Sequence, residues 1–557
     1  MGWSVRRIGP PVALAWLAVA LAAAGAEEGP IVLRDVTRQT GITFRHTDGG
    51  NGRYYIVETV ASGVATLDYD GDGRIDIYFL NGRPLRGTPA DRRAKNALYR
   101  NLGGFRFADV SQQAGVADPG YGLGVCAGDF DNDGFPDLYV NNYGPNVLYR
   151  NRGDGTFADV TGRAGVARGD TVGAGANFLD VDGDGDLDLF VSDYIRFTYD
   201  NHVTTIVRGA PWYAGPRDFP PQPNHLFGNR GDGTFADISA ESGIAAHAGS
   251  GMGTICFDYD SDGDTDIFVG NDQALNFLFS SDGAGKFREA AVEAGVACNY
   301  GGEPVGSMGA DCADYDHDGW LDLFLTDFQR QKPILFHGLG HGLFEDATMQ
   351  TGAAAGSFSY VKWGCGMVDF DNDGHADIFL GCGHLGEGLD PTADRTSYMV
   401  RPILLRNTGQ GRFVDVSDHS GDGMKLELVA RGIAFDDLDN DGRVDVVILS
   451  SRRAPAILRN ESPTDNRWLQ VRLRGVKTNR DGVGARVRVT AGDLSQIAEV
   501  HSGRGYQSHF GSRLHFGLGT RDRVDRIEVR WIGGGTDVLC DVPANQIVTL
   551  TEGLPRW

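Results

Sequence analysis

Several enzyme signatures are missing from this chain of 557 residues. There is no His-Glu-x-x-His helix for zinc, no Gly-x-Ser-x-Gly elbow for a nucleophilic serine, and no Gly-Lys-Ser/Thr phosphate loop. Beyond residue 26 no apolar run is long enough to span a bilayer. Basic charge is also short, with 51 Lys and Arg against 75 Asp and Glu, a formal net of -24. That deficit excludes the basic footprint of a nucleic-acid binder and docking on anionic lipid. Cysteine is scarce and odd in number, seven in all, so the set cannot pair completely within one chain. Disorder is excluded as well, because 41% of residues are hydrophobic and 10% aromatic.

Residues 1–26 read as a secretory leader. Arg6 and Arg7 precede an apolar run from Val12 to Ala24, and Ala24-Gly25-Ala26 fits a small-residue cleavage site. Cleavage near Ala26 implies a secreted or periplasmic protein with no membrane span in the mature chain. Cys126, Cys256, Cys312 and Cys365 fall at strand positions before acidic loops and read as small buried core residues. Cys365 and Cys382 flank one hairpin, where a disulfide is an open alternative.

What is abundant is acid and glycine in register. Glycine numbers 81, about twice the usual share of roughly 7%. The pattern Asp-x-Asp-x-Asp-Gly-x-x-Asp occurs seven times. Its aspartates are Asp68, Asp70, Asp72 and Asp76; Asp129, Asp131, Asp133 and Asp137; Asp180, Asp182, Asp184 and Asp188; Asp258, Asp260, Asp262 and Asp266. The remaining three sets are Asp314, Asp316, Asp318 and Asp322; Asp369, Asp371, Asp373 and Asp377; Asp437, Asp439, Asp441 and Asp445. The sixth position is always glycine, from Gly73 to Gly442, and the seventh varies freely.

This mixture suits a hard cation. Calcium takes six to eight oxygens in flexible geometry. Aspartates at positions 1, 3, 5 and 9 supply side-chain oxygens, glycine permits the turn, and position 7 contributes only a backbone carbonyl. Four uncompensated carboxylates would repel by about 1 kcal/mol per close pair even with water-like screening. The repeat count predicts about seven structural Ca²⁺. Removing these 28 aspartates from the 75 acidic residues leaves 47, against 51 basic ones, so the acidity resides in the ligand sets.

Each loop lies between two short β-type runs, such as Gly63–Leu67 and Asp188–Val191. A third run follows, as Leu98-Tyr99-Arg100-Asn101, and a fourth, as Phe157-Ala158-Asp159-Val160-Thr161. Four antiparallel strands per repeat predict propeller blades. The last loop lacks a fourth strand, while Leu33-Arg34-Asp35-Val36-Thr37 precedes the first loop. The expected fold is therefore all-β: a seven-bladed propeller over 27–462, closed by the N-terminal strand. These repeats resemble the FG-GAP/VCBS repeats of integrin-type propellers, and the resemblance implies calcium in the acidic loops.

In such blades the acidic turns crowd one face. Spacings from the closing Asp to the third-strand Leu place the long insertions of blades 1, 3 and 6, and the link 38–62, on the other face. Long loops on a rigid ring are the default place for binding. They carry the candidate ligand residues His46, Tyr54, Trp212, Tyr213, Arg217, His384 and Tyr398, suited to a glycan or an extracellular protein. The bland alternative is that these aromatics pack their own loops. Arg-Gly-Asp at 152–154 and 230–232 is read as the repeat's hairpin turn.

From residue 463 the character changes to alternating strands, such as Trp468–Leu473 and Ile527–Trp531, which predict a small β-sandwich-like domain over 463–557. Here Asn479-Arg480-Asp481-Gly482, Gly503-Arg504-Gly505-Tyr506 and His515-Phe516-Gly517-Leu518-Gly519 resemble the ASPIC/UnbV domain. With the repeats, they look like the cartilage acidic protein 1-like family, whose molecular activity is poorly defined. Ala214 stands where that family often has a cysteine, so no local disulfide is implied. Arg504, Tyr506, His509 and His515 read as turn and strand residues. Two functional readings stay open: a non-enzymatic recognition or adhesion protein, and a calcium-dependent glycan-active enzyme using His46, Arg217 or His384.

Overall fold

The computed structural model describes residues 31–554 apart from 92, 170 and 389–394. The expected leader over 1–26 lies outside the described residues. Seven four-stranded antiparallel sheets follow one another along the chain. The first consists of Val64–Leu67, Asp76–Phe79, Ala97–Asn101 and Phe107–Asp109. In the seventh, Ala430–Asp436, Asp445–Ser450 and Ala456–Asn460 are joined by Leu33–Asp35, which pairs antiparallel with the third strand. In every sheet the second strand begins at the closing aspartate of its acidic loop. The first and second strands are almost wholly buried, because neighbouring sheets cover both of their faces.

The first strands line a central channel and approach one another closely. Gly63, Gly124, Gly175, Gly253, Gly309, Gly364 and Gly432 occupy corresponding positions near their starts. A Cβ on Gly124 would land on the Ala174 carbonyl of the next sheet, and one on Gly253 on the Met308 carbonyl. At the end of the series a Cβ on Gly432 would stand 2.6 Å from the Gly63 Cα, so the seventh sheet abuts the first. Only residues without side chains allow this backbone approach.

Residues 467–551 form two further sheets. Arg467–Arg474 lies between Leu514–Gly519 and Gln546–Thr551, parallel to the latter. The other sheet is ordered Leu494–Glu499, Arg486–Ala491, Arg523–Arg530 and Thr536–Pro543. Val471, Val487, Phe516, Ile527 and Trp531 pack in one core that continues into Phe178 and Leu189 of the third sheet. The Cys365–Cys382 disulfide does not form: Cys365 stands opposite Leu380 and Cys382 opposite Lys362, so the two are out of register. All seven cysteines are free, and the four at strand positions before acidic loops are buried. No helix of the described residues is long and apolar enough to cross a membrane.

Candidate metal loops and the opposite cleft

The seven acidic loops share one hydrogen-bond frame. The N–H of the sixth-position glycine donates to Oδ2 of the first aspartate at 2.6–3.1 Å in every loop. These glycines lie at φ between +83° and +105°, where a side chain would be strained. The closing aspartate accepts at Oδ2 from the N–H following the first aspartate, at 2.9–3.2 Å. Its Oδ1 accepts from a third-strand N–H at 2.6–2.9 Å. The carboxylates are thus aimed inward, and Asp68, Asp70 and Asp76 bring oxygens within 4.8 Å of one another.

A cation would fit this frame. Six of the seven loops hold a buried carboxylate oxygen with no hydrogen-bond partner: Oδ1 of Asp68, Asp131, Asp258, Asp316, Asp371 and Asp439. Such orphaned acceptors cost free energy unless something positive meets them. Desolvation raises the closing carboxyls accordingly, Asp76 and Asp188 each to about 8. In four loops an arginine from the third strand grips the outer oxygens. Arg100 holds Asp70 at 2.6 Å and Asp72 at 3.2 Å, and Arg150, Arg406 and Arg459 repeat the grip. The corresponding positions in the third and fourth sheets are Gly228 and Ser280. In the fifth sheet the position is His337, whose Nδ1 lies 3.0 Å from Asp322 Oδ1. That carboxylate, with Asp316 and Asp318, pushes the imidazole up to about 9.

The next residue in the third strand ties neighbouring sheets together, a role not anticipated from the sequence. Asn101 Nδ2 donates to the Leu438 carbonyl at 2.8 Å, joining the first sheet to the seventh loop. Asn151, Asn229, Asn407 and Asn460 make the same bond to the preceding sheet at 2.8–2.9 Å. The recurrence of Asn after Leu-Tyr-Arg was the available signal.

The C-terminal sheets reach the acidic loops, while Asp72, Asp182 and Asp184 stay exposed. Arg472 lies 3.5 Å from Asp68, the Asp129 N–H donates to Asp481 at 2.7 Å, and Gln470 donates to Asp437 at 2.9 Å. Arg486 donates to the Asp258 carbonyl at 2.8 Å, and His515 Nε2 lies 2.7 Å from Asn372 Oδ1. The C-terminal sheets therefore set basic and amide groups on the loops. Their segment 501–511 enters the channel between the first strands. Gly505 exchanges hydrogen bonds with Ala310, Val125 donates to the Gln507 carbonyl, and Thr66 to that of His509. Tyr506 is fully buried against Trp363, with ring centroids 5.1 Å apart. Sequence pattern alone gave no sign of this insertion.

On the opposite face lies a cleft of about 1170 Å³. His46, Tyr54 and Tyr213 line it. Tyr54 lies 5.2 Å from Tyr213 and 6.2 Å from Trp212, and Trp212 lies 6.2 Å from His384, so four of the candidate residues form one aromatic group. The Tyr398 carbonyl accepts from the His384 N–H at 3.0 Å. His46 is buried with both ring nitrogens engaged, Nε2 at 3.1 Å from Ser62 Oγ and Nδ1 accepting from the Arg452 N–H. Burial and the nearby arginines lower it to about 3, which leaves it neutral. Arg217 is spent on the Gln273 carbonyl at 2.8 and 3.0 Å and does not line the cleft. Asp48, Glu58 and Arg452 do line it and were not anticipated. Arg-Gly-Asp at 152–154 and 230–232 forms hairpin turns, closed by Arg152 to Thr156 and Arg230 to Thr234 at 3.0 Å.

Fold and loops together define a β-repeat protein of the propeller type with acidic, metal-ligand-like turns. An FG-GAP-like repeat model matches residues 68–140, 129–191, 258–325 and 314–380, and an ASPIC and UnbV model matches 475–555. The chain thus carries FG-GAP-like repeat matches in its first two thirds and an ASPIC and UnbV match near its C-terminal end. It is 25% identical over 521 residues to cartilage acidic protein 1 of Mus musculus, covering 91% of this chain and 67% of that protein. To the Homo sapiens protein of that name it is 26% identical over 487 residues, covering 85% and 60%. Among solved structures it is similar to an Agrocybe aegerita lectin recognising non-reducing terminal N-acetylglucosamine (TM-score 0.35, 17% identity, covering 64% and 79%). It is also similar to a Bacillus licheniformis rhamnogalacturonan lyase (TM-score 0.37, 14% identity, covering 72% and 71%).

Proposed function

We propose that the chain is an exported, calcium-binding seven-bladed propeller over 27–462, capped by an ASPIC/UnbV domain over 463–557. It recognises an extracellular glycan or protein, in an adhesive rather than enzymatic role. The observation that carries the metal reading is the shared frame of the seven loops, which in six of them leaves an inner carboxylate oxygen buried and unpartnered. Calcium would be held by the four aspartates of each loop and would supply the charge that lets them stay ionised together. With the C-terminal sheets set over part of the acidic face, the long-loop face is the one assigned to a partner. The Asn101–Leu438 bond and the pairing of Leu33–Asp35 support a closed ring. Calorimetric titration of chelator-stripped protein tests the metal reading: about seven equivalents of Ca²⁺ are expected, with a marked rise in Tm. No heat and no shift in Tm would sink it.

A second reading, a glycan-active enzyme, draws on Glu58. Burial and the charge of Asp48 push its carboxyl up to about 7, near the value a general acid needs at neutral pH. Incubation with a glycan panel and product detection separates the two, since turnover abolished by Glu58→Gln would favour the enzyme.

A further inference from the structure

The floor of the long-loop cleft holds a compact polar cluster. Arg452 Nε donates to Asp48 Oδ2, and its Nη2 lies 3.3 Å from Tyr213 Oη and 3.7 Å from Glu58 Oε2. Tyr213 Oη donates to Glu58 Oε2 at 3.1 Å, while Glu58 Oε1 accepts from the Tyr55 N–H at 3.0 Å. These residues come from the N-terminal link, the third sheet's long insertion and the turn after the seventh sheet's second strand. Glu58, Asp48 and Tyr213 are buried in the walls, and Arg452 is partly exposed.

Two features show that the site is built for something other than stability. Tyr54 and Arg452 both sit in the left-handed region, at φ 57° and 61°. Each costs on the order of 1–3 kcal/mol, and such strain collects where a side chain must be delivered to a site. Glycines also keep the space open. A Cβ on Gly50 would stand 2.5 Å from Glu58 Oε2 and 3.3 Å from Asp48 Oδ1, and one on Gly386 would stand 3.0 Å from Tyr213.

We propose that Asp48, Glu58, Arg452 and Tyr54 bind one unit of a neutral saccharide. Vicinal hydroxyls both donate and accept, which matches carboxylates set beside a guanidinium. The half-buried Tyr54 ring, grouped with Trp212, suits the C–H face of a sugar. Arg452 is already neutralised by its carboxylates, and at the rim Arg45, Arg93 and Lys95 are balanced by Asp91, Asp109 and Glu387. Among the described lining residues no surplus positive charge is left to select an acidic sugar.

This deepens the recognition reading and rests on it. The test is calorimetry with methyl glycosides of glucose, galactose, mannose and N-acetylglucosamine, alongside those of glucuronic and galacturonic acid. At least one neutral glycoside should bind, and Asp48→Asn should weaken it at least about 10-fold, the loss of one charge-assisted hydrogen bond. Tyr54→Gly relieves the backbone strain, so it should hold or raise Tm while abolishing binding. Binding only of the acidic glycosides, binding of none, or binding indifferent to both variants would overturn the proposal. An added arm, adsorption to extracellular matrix before and after enzymatic deglycosylation, keeps the two ideas apart. Adsorption that survives deglycosylation leaves recognition standing without the sugar, and no adsorption at all removes recognition itself.

Discussion

Arg504 reaches from the C-terminal segment into the channel and donates from Nε to Asp311 Oδ1 at 2.7 Å. Asp311 is fully buried on the first strand of the fifth sheet, and its Oδ2 accepts from the Met367 N–H of the sixth at 2.8 Å. One carboxylate thus ties two sheets and the inserted segment together. Removing one member of such a pair leaves a buried charge unmet. Arg504→Ala is expected to destabilise the protein by about 3–5 kcal/mol, read from urea unfolding midpoints. A loss below about 1 kcal/mol would mean that the pair sees water.

The glycines lining the channel should be the least replaceable small residues. Gly124→Ala forces a methyl group onto the Ala174 carbonyl. A cost of roughly 1–3 kcal/mol is expected from overpacking, or failure to fold. Gly162→Ala is the control, since nothing lies within 4 Å of its Cβ position. Equal melting temperatures for the two variants would contradict the close approach of the first strands.

Loop occupancy can be counted one site at a time. Asp131 Oδ1 is buried without a partner, while Arg150 grips the carboxylate from outside. Asp131→Asn is expected to remove one Ca²⁺ equivalent in calorimetric titration and leave the others. An unchanged stoichiometry would show that this loop holds no ion.

Glu58 should make stability depend on pH. Its carboxyl, ordinarily near 4.5, is pushed up to about 7 by burial and by Asp48. A group that holds its proton more tightly when folded contributes stability that is complete below pH 4.5 and lost as pH rises to about 7. Glu58→Gln carries no titrating proton, so its stability relative to the native chain should improve across that window and level off above it. Urea midpoints at pH 4.5, 5.5, 6.5 and 7.5 check this. A difference that stays flat would place Glu58 in water.

The geometry of the acidic turns is legible in the sequence. Asp at positions 1, 3, 5 and 9 with Gly at 6 is a local rule, and the two bonds inside each loop join residues within a few positions of one another. Loop lengths alone placed Tyr54, Tyr213 and His384 on the face away from the acidic turns. They did not reveal that His46 would be buried in neutral form or that Arg217 would be spent on a backbone carbonyl. Asp48 and Arg452 escaped notice because they are 404 positions apart, and no periodicity links them.

By itself, then, the order of residues determined the strands, the turns and the acidic loops, because these depend on backbone preference and carboxylate spacing over a dozen residues. Tertiary structure alone decided three things: that the C-terminal sheets contact the acidic loops, that 501–511 lies between the first strands, and that Asp48, Glu58 and Arg452 meet in the cleft. Each depends on surfaces brought together from distant parts of the chain. Their complementarity of charge and shape exists only once the sheets have packed.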